Sequence, residues 1–309
     1  MNRTVDVVVV GSVNRDYVCR VETLPGPGET VLGGEASVGS GGKGGNQAVA
    51  ASLLGARTAL VARVGRDDDA RALLKDLADA WVDTTEVLPT AARTGMAFVM
   101  VDAGGENSIV VAPGANDLLD GATTSRVAGA LLAPPGVLVT QAEVPPEACD
   151  AAVRAASARG CRAIVNLAPY RPLADDVLAL CDPLVVNESE VSSLLGRRVR
   201  GRDEARDAAA ALAGRCRSVV ITVGADGAVV GEGDRVEHVG AEAVDVVDTT
   251  GAGDAFCGAL AAALSSGRDL VEAARLGVRA GTFAVRRPGA QASFAHATDL
   301  GLGPLHRRA

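Results

Sequence analysis

The chain is expected to fold as an α/β protein on a mainly parallel sheet covered by helices on both faces, and three observations lead there. Short β-branched runs alternate with longer helical patterns along most of the 309 residues, the order that strand–helix–strand units require. Those runs are apolar at consecutive positions, as strands buried on both faces are. Two stretches break the rhythm, Tyr17 to Val38 and Gly95 to Val111, and each reads as a pair of strands around a turn with no helix between. They are expected to form a small lid sheet, about residues 17–40 and 95–111, over the edge of the main one, all within a single domain spanning 1–309.

In chain order, "VDVVVV" is the first strand, and the helix that belongs to it runs from Gly45 to Leu54 after the first lid pair. "TALVAR" is followed by a helix from Asp67 to Ala80, which opens on an acidic run suited to a helix N-terminus. After the second lid pair come "GVLVT" with a helix from Pro146 to Ala158, where proline occupies the first helical turn, and "RAIVN" with a helix from Leu173 to Leu180. "PLVV" with "ESEVSSLLG" and "SVVITV" extend the series. A further helix begins at "GAGDAFCGALAAAL".

The charge balance narrows the function. A formal net charge of −8 with no basic block argues against a nucleic-acid surface, which needs clustered Lys and Arg. Aromatic residues make up 2% of the chain, too few for a platform that stacks single strands. A small-molecule partner is expected. The cysteines Cys19, Cys149, Cys161, Cys181, Cys216 and Cys257 contain no C-x-x-C pair, and His238, His296 and His306 do not cluster with them, against both a zinc site and a disulfide framework. Free thiols suit a reducing cytosol. The N-terminal apolar run is too short for a signal peptide, and no later stretch has the length of a membrane span, so a soluble cytoplasmic protein is expected.

Ligands of open parallel sheets lie outside the carboxyl ends of the strands. The residues there are Asn14 and Asp16, Glu143, Asn166, Asn187 and Glu190, and Thr222 and Gly224. Each is polar or glycine. Any one of them could serve only as a turn or cap residue; together they favour a site.

Two glycine clusters flank helices. "SVGSGGKGGNQAVAAS", Ser37 to Ser52, is not a P-loop, because Gly44 follows Lys43 where a magnesium-binding hydroxyl is needed. Nor is it a dinucleotide fingerprint, since it does not follow the first strand directly. "VVDTTGAGDAFCGALAAAL", Val246 to Leu264, runs through a Gly-Ala-Gly turn straight into a helix. The N–H groups of Ala252, Gly253 and Asp254 are therefore expected to be free donors at the positive end of a helix dipole. A carboxylate beside an anion hole is the minimal apparatus for moving a phosphoryl group to a hydroxyl.

With these motifs the chain resembles the ribokinase family of carbohydrate and nucleoside kinases. "GGKGGNQAVAAS" is similar to that family's first signature and "DTTGAGDAF" to its second, with "GSVNRD", "PGPGETV", "QAEVP", "NESE", "ITVGADG" and "RRPGAQAS" in the expected order from Val5 to Ser293. The resemblance implies a ribokinase-like three-layer α/β/α sandwich with a β-sheet lid, and ATP-dependent phosphorylation of D-ribose at the 5-hydroxyl. Asn14, Asp16, Gly42, Lys43, Asn46 and Glu143 match sugar-binding positions. Asp254 matches the catalytic base, and Gly251, Ala252 and Gly253 the anion hole. By the same resemblance the backbone of Gly41 to Gly45 approaches the sugar hydroxyls.

Asn187 and Glu190 match a pair near the triphosphate and Mg2+, Glu190 acting through a water. Thr222, Gly224, Ala225, Asp226 and Gly227 match the nucleotide loop, and Val278 the adenine pocket. Asp248, Thr250, Ala284, Arg287, Gly289 and Ser293 match a K+ site of mostly backbone carbonyls. A homodimer through the lid is implied as well. The departures are Arg15, between the two sugar-binding residues, and Tyr17 after it, which bear on the choice among ribose, 2-deoxyribose, a nucleoside or another furanose. "QAEVP" and "RRPGAQAS" also differ, at Ala142 and Ala292. A non-catalytic sugar sensor is the rival from another class, and Asp254 beside the glycine turn speaks against it.

Overall fold

The computed structural model describes residues 5–104 and 107–303; His306 and the tip of the second lid pair lie outside them. The first half of the chain runs β1 (Val7–Val10), β2 (Asn14–Val21), β3 (Gly33–Gly41), α1 (Lys43–Leu53), β4 (Thr58–Val64), α2 (Asp68–Asp79), β5 (Asp83–Pro89), β6 (Gly95–Val101) and β7 (Asn107–Ala112). Next come α3 (Gly121–Leu131), β8 (Val137–Gln141), α4 (Pro146–Ala158), β9 (Arg162–Asn166), α5 (Asp175–Leu178), β10 (Leu184–Asn187) and α6 (Glu188–Leu195). The chain ends with α7 (Gly201–Leu212), β11 (Ser218–Thr222), β12 (Ala228–Glu232), β13 (Arg235–Val239), α8 (Ala252–Ser265) and α9 (Leu270–Ala284).

Nine strands form the main sheet in the order β13-β12-β11-β10-β9-β8-β1-β4-β5. From β11 to β5 the pairing is parallel, and only β12 and β13 are added antiparallel at one edge. The period of two along β1 explains its run of valines: Val7 and Val9 enter one apolar core and Val8 and Val10 the other, all four fully buried. The first core takes Leu73 of α2, Leu260 of α8 and Leu276 of α9. The second takes Val127 of α3, Val153 of α4 and Leu212 of α7. The three layers expected from the sequence are thus present.

The helices α3, α7 and α9 were not named in the sequence reading, and three further features depart from it. β5, "DTTEVLP", was not expected, because an edge strand exposed on one side need not be apolar. The β12–β13 hairpin was likewise missed, with charged residues in "RVEHV" masking its alternation. The helix expected over Leu173 to Leu180 is one turn, Asp175–Leu178.

The lid is a separate four-stranded sheet in the order β3-β2-β6-β7. Its first strand pair starts at Asn14 and ends at Gly41, so Asn14 and Asp16 belong to a lid strand and not to a turn after β1, and β3 runs directly into α1. The alternation of β2 sends Arg15 and Tyr17 to the face opposite Asn14 and Asp16. On that face Arg15 Nη1 donates to Ser40 Oγ at 3.2 Å and lies 3.5 Å from the Asp76 carboxylate, which also accepts from Ser40 Oγ at 2.6 Å. The Tyr17 hydroxyl donates to Asp69 at 3.2 Å, and its ring stacks on Phe98 with centroids 5.7 Å apart. Asp69 and Asp76 are two turns apart on α2, so one side of that helix holds the lid.

Candidate active site

The polar residues expected from the sequence converge where β2, the start of α1, the loop after β8 and the start of α8 meet. Asn14 is buried, and its Oδ1 accepts from Asn116 Nδ2 at 2.8 Å. Asn116 also accepts from the N–H of Val13 at 3.0 Å and donates to its carbonyl at 3.2 Å. That pair of hydrogen bonds to the backbone fixes the corner between β1 and β2, and it leaves the Nδ2 of Asn14 as the donor for a ligand. Asp16 has a buried Oδ1 with no hydrogen-bond partner. Burial first, then the charges of Glu143 and Asp254, push its carboxyl up to about 7, against the pull of Arg15. Gly41 stands against it, and a Cβ there would fall 2.0 Å from Asp16 Oδ2.

Glu143 Oε2 accepts from Ser12 Oγ at 2.6 Å and from the N–H of Lys43 at 3.0 Å. Its other oxygen is left for a ligand. The Lys43 ammonium is held above its usual range by Asp254 first, against the cost of burial, with Glu143 and Glu190 adding to the pull. One cation therefore stands among three carboxylates at the centre of the site.

Asp254 is buried, with Oδ2 accepting from Asn46 Nδ2 and Oδ1 from Gln47 Nε2, each at 2.9 Å. It lies in the first turn of α8, behind Gly251, whose φ of 76° is left-handed. There the structure corrects the sequence reading. The N–H of Ala252 is not free but donates to the Thr249 carbonyl at 3.2 Å, so the open donors of this turn are those of Gly253 and Asp254.

Asn187 and Glu190 form a reciprocal capping box at the start of α6, with bonds of 2.8 and 2.9 Å. Burial raises the Glu190 carboxyl, opposed by the Asn187 N–H and by Lys43, which ties this pair to the central cluster. Asn187 is in register with Thr222 on β11, and the loop from Gly224 to Gly227 follows as a single 3-10 turn. Gly227 has φ 90°, and a Cβ there would meet the Val239 carbonyl at 2.1 Å. Ala225 and Asp226 are exposed at the tip of the turn. Val278 is buried in α9.

Asp248 accepts from the N–H of Thr250 at 2.9 Å and of Gly289 at 2.8 Å. Burial opposes its ionisation, but these donors outweigh that and hold its carboxyl below the usual range. The carboxylate thus pins the loop before α8 to the one after α9, where Ala284 and Ser293 are fully buried. The Ala284 carbonyl accepts from the N–H of Arg287, and Ser293 Oγ donates to the Ala290 carbonyl at 2.8 Å.

Sequence reasoning missed Ser12, Gln47, Asn116, Gln141, Gln291 and His238. The ring Nε2 of His238 is 2.6 Å from the Asp226 carbonyl and clamps the nucleotide-loop turn. Gln291 Nε2 donates to Asn46 Oδ1 at 3.0 Å. Ser12, Gln47, Gln141 and Gln291 lie inside the motifs "GSVNRD", "GGKGGNQAVAAS", "QAEVP" and "RRPGAQAS", which is the one signal they carried; Asn116 and His238 lie in none of the motifs.

Comparison with known proteins bears on this arrangement. The model of the pfkB family carbohydrate kinases matches residues 5–297. The chain is 36% identical to a ribokinase of Haemophilus influenzae over 93% of its length and 94% of the relative's. It is 33% identical to a deoxyribokinase of Salmonella typhimurium, over 94% and 95%. Its fold is similar to that of Arabidopsis thaliana ribokinase complexed with ribose and ATP, with TM-score 0.87 and 28% identity over 96% of this chain and 97% of that one. A buried carboxylate at an open helix N-terminus, in a fold shared along nearly the whole chain, leads to one conclusion: the chain belongs to the pfkB family of carbohydrate kinases.

Proposed function

We propose that this protein transfers the terminal phosphoryl group of ATP to the 5-hydroxyl of D-ribose, giving ribose 5-phosphate. The observation that carries the reading is Asp254, a buried carboxylate held by two amide donors in the same turn as the open N–H groups of Gly253 and Asp254. In this reading Asp254 takes the hydroxyl proton while those N–H groups hold the phosphoryl oxygens where charge develops. Asn14 donates to the sugar through Nδ2, Asp16 and Glu143 accept from its hydroxyls, and Lys43 and Asn46 complete the pocket with Gly42. The lid and the main sheet act together as one kinase domain.

ATP is assigned to the loop of Thr222, Gly224, Ala225, Asp226 and Gly227, with Val278 on its adenine side and Asn187 at the phosphates. The free oxygen of Glu190 suits a water of hydrated Mg2+, an ion that keeps much of its hydration. For K+ the donor set is Asp248, the carbonyls of Thr250, Ala284, Arg287 and Gly289, and the hydroxyl of Ser293. Nearly all are neutral oxygens, and backbone carbonyls of this kind can replace the hydration shell of K+. Bound there, the cation would order the turn that presents the open donors.

A second copy of the chain is assigned to the lid, where Phe98, Ile109 and Val110 are about half exposed, a liability that a partner sheet removes. All six cysteines are free, which supports a cytoplasmic setting. Among the described residues no helix is long and apolar enough to cross a membrane.

The test is steady-state kinetics with ribose, 2-deoxyribose, adenosine and fructose as acceptors. Ribose is expected to give the highest kcat/KM, and Asp254→Asn to lower kcat for ribose at least about a hundredfold. A higher kcat/KM for another acceptor would overturn the sugar assignment, and near-normal turnover in the variant would overturn the base.

A further inference from the structure

We infer that Gln47, which no motif role covers, is the positioning residue of the catalytic base. The inference rests on the reading of Asp254 as that base. Gln47 is fully buried in the second turn of α1. Its Nε2 donates to Asp254 Oδ1 at 2.9 Å and to Asn166 Oδ1 at 3.0 Å, and its Oε1 accepts from Gln141 Nε2 at 2.7 Å. Both amide hydrogens and the carbonyl are therefore in use, and the side chain has one orientation. Asn166 and Gln141 end the adjacent strands β9 and β8, where they are in register, so Gln47 is held by the rigid part of the sheet.

The direction of the bonds matters as much as their number. Gln141 donates to Gln47, which donates to Asp254 Oδ1. On the other side Gln291 donates to Asn46, which donates to Asp254 Oδ2. Two chains of neutral amides thus point the same way and end on the two oxygens of one carboxylate. Each oxygen keeps a lone pair, and the plane of the carboxylate is fixed by donors on both sides. A base held in this way meets the hydroxyl proton without a reorientation step, which is where a small misplacement is expensive. Asn46 faces the sugar as well as the base, whereas Gln47 touches only protein groups and acts through Asp254.

The experiment compares Gln47→Met, which keeps the length and fills the volume without donors, and Gln47→Glu, which keeps the shape and the acceptor for Gln141, with the wild type. Both are measured for melting temperature, kcat and KM for ribose, and Gln47→Met is also built into Asp254→Asn. The expected result is a fall in kcat of about a hundredfold in either folded variant, with KM for ribose within about threefold, and no further loss when Gln47→Met is added to Asp254→Asn. A kcat within about threefold of wild type in either variant, or the same proportional loss in both backgrounds, would overturn the role of Gln47. The two readings separate cleanly. A crippled Asp254→Asn beside a normal Gln47→Met removes only Gln47's role, whereas a normal Asp254→Asn removes the base itself.

Discussion

The two glycine-flanked helix starts, at α1 and at α8, look alike in sequence and do opposite things. At α1 the first N–H groups are all occupied by the chain itself. Lys43 donates to the Glu143 carboxylate, Gly44 to Ser12 Oγ at 3.5 Å, Gly45 to the Ser12 carbonyl and Asn46 to the Gly42 carbonyl, both at 2.9 Å. The glycines there answer to crowding: a Cβ on Gly42 would lie 2.7 Å from the Asn14 nitrogen, and one on Gly44 2.6 Å from Gly11 backbone. At α8 two N–H groups are open, and a Cβ on Gly253 would meet nothing within 4 Å. The first end is neutralised by an internal anion and closely packed; the second keeps both its donors and its space for something from outside. The close approaches of Gly41, Gly42 and Gly44 within the protein are to Asp16, Asn14 and Gly11, and they bring α1 close to β1 and β2.

Matched substitutions sharpen this contrast. Gly253→Ala has room for its methyl group and removes a glycine from a helix, so thermal stability should hold or rise, by up to about 1 kcal/mol. The same methyl stands at the open donors, and kcat should fall about a hundredfold, as when one such donor is lost. Gly44→Ala should reverse the pattern, losing about 1–3 kcal/mol because backbone must move, which a denaturant titration reads directly. A stable, fully active Gly253→Ala would break the comparison at α8, and an unperturbed melt in Gly44→Ala would break it at α1.

A further expected effect is a pH dependence that belongs to the closed, carboxylate-rich side. The Asp16 carboxyl is raised from 3.8 to about 7, by burial first and then by Glu143 and Asp254. A carboxyl raised on folding binds its proton more tightly in the native state, so its contribution is full below the unfolded value near 3.8 and is lost as pH rises through about 7. Between those limits the ligand-free wild type should lose melting temperature relative to Asp16→Asn. Parallel pH profiles for the two proteins would sink this assignment.

What could be read from the sequence divides along physical lines. Strands buried on both faces, such as "VDVVVV" and "SVVITV", announce themselves because nothing polar interrupts them. β5 and β13 do not, since one side of each edge element faces solvent. Residues with charge or a fixed place in a motif, Asp254, Lys43 and Glu143, could be named in advance and do converge. Gln47, Asn116 and Gln291 were given no role in advance, because each hydrogen-bonds other protein groups and no spacing announces such an amide. Its meaning appears only when the fold brings together residues such as Gln47 and Asp254, 207 positions apart. The open Ala252 N–H was misjudged because the Thr249 carbonyl turns back toward it, which composition does not reveal.

The two-sided character of β2 gives Arg15 and Tyr17 protein partners on the face opposite Asn14 and Asp16. A single ribbon carries two independent texts, one in Asn14 and Asp16 addressed to the candidate site and one in Arg15 and Tyr17 addressed to α2 through Asp76 and Asp69. Inheritance can edit the second without rewriting the first. A substitution at Arg15 or Tyr17 is then expected to loosen the mooring of the lid on α2 while leaving the side chains of Asn14 and Asp16 on their own face.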